Sequence, residues 1–365
     1  MKVIVIVPSL ENKGPVIVAR DIALNNKNKD IEFIFVSLRK NSSESLIQFT
    51  NFKVFELNLG KIPLFSFKLK KLIKELKPDI IHCHCFYPTL LSGLYLKEYY
   101  HKIISTLHNN PLEDFSYEYG KVISFFMVKS MIFFQRKFYL NTAISNYIKN
   151  IHNELGLNNV KVIYNGIPFM ERNFKIFHTK NQKINLITVS VLNKIKNLNF
   201  LIEVCEKLKS LKLEFILTII GNGSERKSLE KLIKEKKLEN EVIFLGKLSR
   251  EEVYEELFKS DIFLFSSKSE GFGLVIVEAL SCNLPVIAGN IPVMEEIIKT
   301  NKNGIICNFD IGEYINAILK IYKNLDEFRL NTKKYFNKNF LSENMSKNYI
   351  ELYKEISKNK FNYTK

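Results

Sequence analysis

The sequence predicts an α/β protein made of two doubly wound parallel-sheet domains. Three observations lead there. Short runs rich in Val, Ile and Phe alternate with longer helical patterns along the whole chain, the arrangement of strands joined by crossover helices. The scheme occurs twice, in blocks of similar size. Between the blocks lies "PFMERNFKIFHTKNQK" (Pro168 to Lys183), which is polar and irregular and reads as a linker.

In order along the first block, "KVIVIVP", "EFIFVSL", "DIIHCHC" and "KIISTLH" read as strands. In the second, "INLITVSV", "EFILTIIG", "EVIFLG", "DIFLFSS", "LPVIAG" and "GIICN" do so, with helical patterns such as "NFLIEVCEKLKSL" and "REEVYEELFKS" between them. The divisions expected are 1–167 for the first domain, 168–183 for the linker and 184–340 for the second domain. Residues 341–365 then form a C-terminal helix that crosses back to the first domain and ends in a frayed basic tail. Two such domains facing each other leave a cleft at the C-terminal ends of their strands, where ligands bind in open α/β sheets.

The 365 residues, 46% hydrophobic and 25% charged, are ordinary globular material with enough length for two cores. Five cysteines (Cys83, Cys85, Cys205, Cys282, Cys307), odd in number and mostly within apolar segments, point to a reduced, cytoplasmic protein. The apolar opening is too short for a signal peptide, and no run approaches the length of a membrane span. A formal net charge of +16 favours anionic partners. The basic residues are too dispersed for a nucleic-acid site, so no nucleic acid is expected. Two segments mix aromatics with cations: "IPLFSFKLKKLIKELK" (Ile62 to Lys77) and "KVISFFMVKSMIFFQRKFYL" (Lys121 to Leu140). Each reads either as a core helix with snorkelling lysines or as a contact with an anionic membrane surface.

The stretch "SSKSEGFGLVIVEALSCNLPVI" (Ser266 to Ile287) raises a chemical question. Glu278 sits in an almost purely apolar run, where an ionised carboxylate costs several kcal/mol unless a partner meets it. The stretch reads as strand end, glycine turn and helix. Gly271 and Gly273 let a ligand approach the backbone, and the first helical N–H groups can receive an anion such as a diphosphate. Glu278 would then meet sugar hydroxyls, and Glu270 would lie near whatever is attached beyond the diphosphate. A structural turn with Glu278 paired to a nearby lysine is the alternative.

Glu270-x7-Glu278, with "EGFGLVIVEAL" and "LPVIAG", closely resembles the donor-site signature of glycosyltransferase family 4. The likeness extends over nearly the whole chain and in order: "PSLENKGPVIVARDIA", "KPDIIHCHC", "ISTLHNN", "AISNYIKN", "VKVIYNGI", "VSVLNKIKNLNFLIEV", "IIGNGSER" and "VIFLGKLSREEV". The resemblance implies the GT-B architecture, two Rossmann-like domains across a cleft, and retaining, nucleotide-sugar-dependent transfer. It implies that Lys196 meets the donor diphosphate, that Gly271 belongs to the substrate-binding turn, and that the amides of Phe272, Gly273 and Leu274 hold sugar and phosphate. Gly14 would close over the phosphates from the first domain, and Glu278 would bind the ribose. Glu270 and His108 would act at the transferred sugar, the catalytic positions. The base would be met by backbone near "FLGKL" (Phe244 to Leu248).

Three positions depart from the family pattern. Val191 stands where an arginine is usual, Lys13 precedes Gly14 where a second glycine is common, and Asn283 replaces a glycine. With Val191, the diphosphate leans on Lys196, helped by Lys194. There is no Asp-x-Asp pair to hold a divalent ion, so no metal and no cofactor are expected beyond the NDP-sugar co-substrate. The implied reaction moves a hexosyl unit from an NDP-sugar to a growing glycan. A lipid-linked saccharide acceptor is favoured by the basic charge, at the cytoplasmic face of a membrane. A nucleotide-sugar epimerase of the same fold and a catalytically silent sugar-nucleotide- or glycan-binding subunit stay open. The "HCHC" run suggests zinc at first sight, but alternation along a strand turns His82 and His84 away from Cys83 and Cys85. "GNGSER" lacks the third glycine of a dinucleotide fingerprint.

Overall fold

The structure, a computed structural model, describes residues 1–60, 67–170 and 183–359. The chain divides into two compact units, Met1–Gly166 with Ser342–Lys365, and Ile167–Leu341. Most of the segment read as a linker (171–182), the start of the first basic-aromatic segment (62–66) and the tail from 360 lie outside the described residues.

In the first unit the strands are β1 (Lys2–Val7), β2 (Glu32–Ser37), β3 (Lys53–Glu56), β4 (Ile80–His84), β5 (Ile103–Leu107), β6 (Leu140–Ala143) and β7 (Val160–Val162). They form one parallel sheet in the order β3-β2-β1-β4-β5-β6-β7. The connecting helices are α1 (Gly14–Leu24), α2 (Ser43–Ile47), α3 (Phe67–Leu76), α4 (Phe86–Tyr95), α5 (Pro111–Tyr119), α6 (Lys121–Gln135) and α7 (Asn146–Glu154). β1 reads as an unbroken apolar run because both its faces are covered: Val3 to Val7 are at most 1% exposed. The sequence pattern named four strands here. It missed β3, β6 and β7, whose "KVFE", "LNTA" and "VKV" are too short and too polar to show a run.

The second unit repeats the plan with β8 (Ile184–Val189), β9 (Phe215–Ile220), β10 (Val242–Gly246), β11 (Ile262–Phe265), β12 (Val286–Gly289) and β13 (Gly304–Cys307). Their order is β10-β9-β8-β11-β12-β13, again parallel. Its helices are α8 (Leu198–Ser210), α9 (Arg226–Glu235), α10 (Arg250–Lys259), α11 (Leu274–Ser281), α12 (Met294–Ile297), α13 (Ile311–Lys323) and α14 (Leu325–Asn339). Leu201, Cys205, Leu217 and Ile318, all fully buried, belong to the core between this sheet and α8, α9 and α13. In both sheets the strand order reverses beside the first strand, β1 or β8. That reversal opens the strand ends where ligands seat.

The final helix, α15 (Ser342–Asn359), belongs to the first unit. Ser346 Oγ donates to the Ile22 carbonyl of α1 at 2.7 Å, and Tyr349 and Tyr353 are buried against the sheet. The two basic-aromatic segments have different fates. In α3, Leu69 and Ile73 are fully buried while Lys68, Lys70, Lys71 and Lys74 face outward, a core helix with solvated cations. In α6, Val128, Met131, Ile132 and Phe134 are buried, yet Val122, Ile123, Phe125, Phe126 and Phe133 are 53–72% exposed.

α4 and α6 cross where Gly93 leaves room for a ring: a Cβ added there would lie 2.2 Å from Phe134. Gly93→Ala is therefore expected to destabilise the protein by about 1–3 kcal/mol despite alanine's better helix propensity, because the packed ring must shift. Urea unfolding measures this, and adding Phe134→Leu to Gly93→Ala should recover part of the loss.

Candidate active site

The region that the sequence singled out in the second unit starts at the end of β11. The turn that follows is fastened to the loop after β8. Ser266 Oγ donates to the Lys196 carbonyl at 2.8 Å, and the Lys268 amide donates to Ile195 O at 2.9 Å. Lys196 closes a short 3-10 turn, Lys194–Lys196, capped by Asn193, whose Oδ1 accepts from the Lys196 amide at 3.2 Å. With both loops pinned, Lys196 Nζ forms a short ion pair with Glu270 Oε1, and their side chains are only 22% and 16% exposed. The sequence assigned these two to one ligand. It did not predict that they would touch.

Gly273 is the N-cap of α11 and takes φ +87°, a left-handed conformation that any L side chain would strain. Gly271 is not left-handed, so the conformational requirement falls on Gly273 alone. Phe272 is 2% exposed, its ring edge-on to Phe340 with centroids 6.0 Å apart. Its side chain anchors the turn in the core. Leu274 is half-buried as the first residue of α11. The first turn of a helix presents N–H groups with no acceptor inside the helix, so this start is suited to an anion.

Glu278 lies one turn further in, and its apolar surroundings are met by a cation. Arg250 Nε is 3.7 Å from Glu278 Oε1, with side chains 22% and 19% exposed. The partner is thus an arginine, not the lysine that the structural alternative supposed. Arg250 opens α10, whose start is fixed by a capping box: Ser249 Oγ accepts from the Glu252 amide, and Glu252 accepts from the Ser249 amide at 2.7 Å. "GKLSREEV" carried Arg250 in view, but a contact between two helices leaves no local spacing that would reveal it.

The departures also find their places. Val191 is 60% exposed and brings no charge. Lys194 lines a polar pocket with Asn193, Asn197, Glu225 and Lys268. Asn283 takes φ +59° just beyond α11, the conformation that a glycine would supply and that asparagine tolerates best after it. The glycines of "GNGSER" serve packing: an added Cβ at Gly221 would meet Ser190 O at 1.8 Å, and one at Gly223 would meet Leu192 O at 2.3 Å.

Gly14 and His108 lie in the first unit. Gly14 is the first residue of α1, after Lys13, which pairs with Glu11 at 2.7 Å. His108 directly follows β5, and its Nε2 is 2.9 Å from His84 Nδ1 at the end of β4. His84 in turn stacks on His82, centroids 4.2 Å apart. His82 Nδ1 bonds Tyr353 OH at 2.7 Å and Nε2 bonds Thr106 Oγ1 at 2.6 Å. Cys83 points to the other face, its thiol donating to Ser92 Oγ at 3.1 Å. The sequence contained the signal for this row: histidines two apart at one strand end, and a third just past the next strand. The register His84↔Thr106 brings them together.

Comparison with known proteins bears on the family and the fold. The family model "Glycosyl transferases group 1" matches residues 169–339, and the model "Glycosyltransferase Family 4" matches residues 16–169. The O-antigen biosynthesis glycosyltransferase WclY of Escherichia coli is 28% identical over 378 residues, covering 98% of this chain and 99% of that protein. The N-acetyl-alpha-D-glucosaminyl L-malate synthase of Bacillus anthracis is 26% identical over 326 residues, covering 84% of this chain and 82% of that protein. The crystal structure of Anabaena Alr3699/HepE in complex with UDP superposes with a TM-score of 0.81 at 18% identity, covering 97% of this chain and all of that one. The same protein solved with UDP-glucose gives 0.78. The solved structures share the GT-B fold, and this chain has it.

Burial holds the imidazoles neutral. It pushes His82 and His108 down to about 3, with the His108 charge a lesser cause for His82, and His152 in α7 down to about 4. Below about pH 6.5 the unfolded chain takes up protons that these rings refuse when folded. Stability is therefore complete above that pH and falls as the pH drops toward 4. Urea midpoints from pH 7 to 4.5 should show this loss. His152→Leu should flatten the slope by up to about 1.4 kcal/mol per pH unit, whatever it does to stability at pH 7.

Proposed function

The chain belongs to glycosyltransferase family 4, and from that membership we propose that it moves a hexosyl unit, with retention, from a nucleoside-diphosphate sugar to a growing surface glycan carried on a lipid. The observation that carries the reading is the Lys196–Glu270 ion pair at the start of α11. A diphosphate arriving there meets the helix amides and Lys196, which stabilise the charge that gathers on the leaving group. No metal ion is needed for that charge. Glu270, released from the lysine, accepts hydrogen bonds from sugar hydroxyls beside the anomeric carbon, and Glu278 takes the ribose diol. The solved Alr3699/HepE complexes with UDP and UDP-glucose support a nucleotide-sugar donor. WclY, by its name an O-antigen glycosyltransferase, supports a surface glycan as the product.

The lipid-bound acceptor is supported by α6. Its outward face carries Val122, Phe126 and Phe133 with Lys129, flanked by Ile123 and Phe125. From Lys121 to Asn153 there is no acidic residue, while Lys121, Lys129, Arg136 and Lys137 are exposed. Apolar side chains among cations match an anionic bilayer surface. Among the described residues no helix is long and apolar enough to cross a membrane, so contact would be peripheral, at the cytoplasmic face.

A screen of labelled NDP-sugars with lipid-linked saccharide extracts tests the reaction: NDP release that depends on acceptor is expected. Conversion of the sugar without acceptor would favour an epimerase, and binding without turnover a silent subunit. Lys196→Ala and Glu270→Ala should each lower kcat/KM by about 10²–10³-fold. Glu278→Gln should mainly raise the donor KM, about tenfold, because ribose is held equally in ground and transition states. In co-sedimentation, the protein should bind phosphatidylglycerol vesicles but not phosphatidylcholine ones. The double variant Phe126→Ser/Phe133→Ser should weaken that binding by roughly tenfold or more while leaving turnover of a soluble acceptor intact. Unchanged binding would remove the membrane part of the reading.

A further inference from the structure

The row of three histidines in the first unit contains one ring with an unusual account. His84 bonds His108 through Nδ1, and its Nε2 is buried without a hydrogen-bond partner among the described residues. His82, beneath it, has both nitrogens engaged, by Tyr353 and Thr106. Thr106 Oγ1 lies a further 2.8 Å from Thr142 Oγ1, and Tyr349 OH lies 3.1 Å from Thr142 Oγ1. The row is thus braced by α15 from behind. At its front, Cys85, the residue after His84, has φ 72° and ψ 176°, a backbone region that is essentially glycine's. His84 is locked on both sides.

A single bond between two neutral imidazoles needs one donor and one acceptor. Burial keeps both rings neutral, holding His84 well below the usual imidazole range. Two arrangements remain. If His108 donated from Nε2, His84 would accept at Nδ1 and carry its own proton on Nε2, burying an N–H without an acceptor. If His84 donates from Nδ1, only a bare lone pair is buried at Nε2. Orphaned buried N–H groups are the rarer and costlier case. The second arrangement follows. His108 then accepts at Nε2 and carries its proton on Nδ1, which makes no bond to a described residue.

We propose that His84 is a positioning residue that fixes His108 as the Nδ1–H tautomer, leaving that N–H to donate to an oxygen of a substrate. The ligand half of this statement rests on the transferase reading above. The tautomer half does not. Free imidazole prefers its proton on the other nitrogen, so without His84 the ring would present an acceptor, or a mixture, to the ligand. A wrong tautomer abolishes function without moving an atom of the backbone.

The test combines a spectrum with kinetics. With ¹⁵N-histidine-labelled full-length protein at neutral pH, long-range ¹H–¹⁵N correlation should show His108 as Nδ1–H. His84→Leu should shift His108 toward Nε2–H. His84→Asn, whose side-chain amide occupies the place of Nδ1, should keep the wild-type pattern. In the NDP-release assay, His84→Leu should lower kcat at least about tenfold with a smaller change in donor KM, and His84→Asn should restore kcat to within about threefold. A wild-type His108 protonated on Nε2 overturns the proposal, as does a His84→Leu variant with a switched tautomer and unchanged kcat. The wild-type spectrum decides even if the variants fold poorly. Absence of transfer with every donor would sink the transferase reading and, with it, the ligand half, while the spectrum still judges what His84 does to His108.

Discussion

A lysine and a glutamate held together in a sparingly hydrated turn set the terms for the second unit. Removing either partner would leave the other charge unpaired in a largely covered site, which the pairing avoids. The two loops that carry the pair are fastened to each other, by the Ser266 hydroxyl on the Lys196 carbonyl and the Lys268 amide on the Ile195 carbonyl. Its position at the mouth of α11 depends on Gly273 turning the chain in a left-handed step that no other residue takes without strain. Glu278 repeats the logic one turn on, with Arg250 in place of lysine. The unit therefore holds two pairs of opposite charges in or near contact beside the start of one helix.

The first unit solves a similar problem without charge. Its polar groups at the ends of β4, β5 and β6 are neutral rings and hydroxyls, joined through His82, Thr106 and Thr142 to two tyrosines of α15. In a low-dielectric interior such a network is stiff when its members are satisfied, and costly where one is not. That is why the buried Nε2 of His84, unpaired among the described residues, is informative. It also gives the last helix a job beyond covering the sheet, since Tyr353 holds the innermost ring of the row.

The sequence made the architecture legible because parallel strands buried on both faces read as nearly continuous apolar runs, as "KVIVIV", "FILTII" and "IFLF" do. β3, β6 and β7 escaped because their few residues draw their place from neighbours rather than from a pattern. The donor-side turn was legible for a different reason: glycine and carboxylate spacing around a helix start is local. Contacts between distant elements were not. Nothing in the spacing tells that Arg250 faces Glu278, or that Lys196 reaches Glu270 rather than standing apart from it. The glycines of "GNGSER", a run that lacks the third glycine of a dinucleotide fingerprint, are needed because the carbonyls of Ser190 and Leu192 leave no room for a side chain.

The contrast between α3 and α6 shows what composition alone conceals. Both mix lysine with large apolar residues, but beyond Phe67, which is 77% exposed at its first position, α3 sorts them, with Leu69 and Ile73 inward and the lysines outward. α6 does not. Its inward face already satisfies the core through Val128, Met131, Ile132 and Phe134, so the outward phenylalanines contribute nothing to folding that the inward ones leave undone. Lys129 lies over the Phe125 ring at 5.5 Å and Lys137 over the Phe133 ring at 3.9 Å, so ammonium and ring share one patch. A protein partner would bury the rings and have to pair or expel the cations. An anionic headgroup layer takes both at once, because its charge and its apolar depth are separated by only a few ångströms. This pairing of ring and ammonium on one outward face is what supports the proposal of a bilayer surface there.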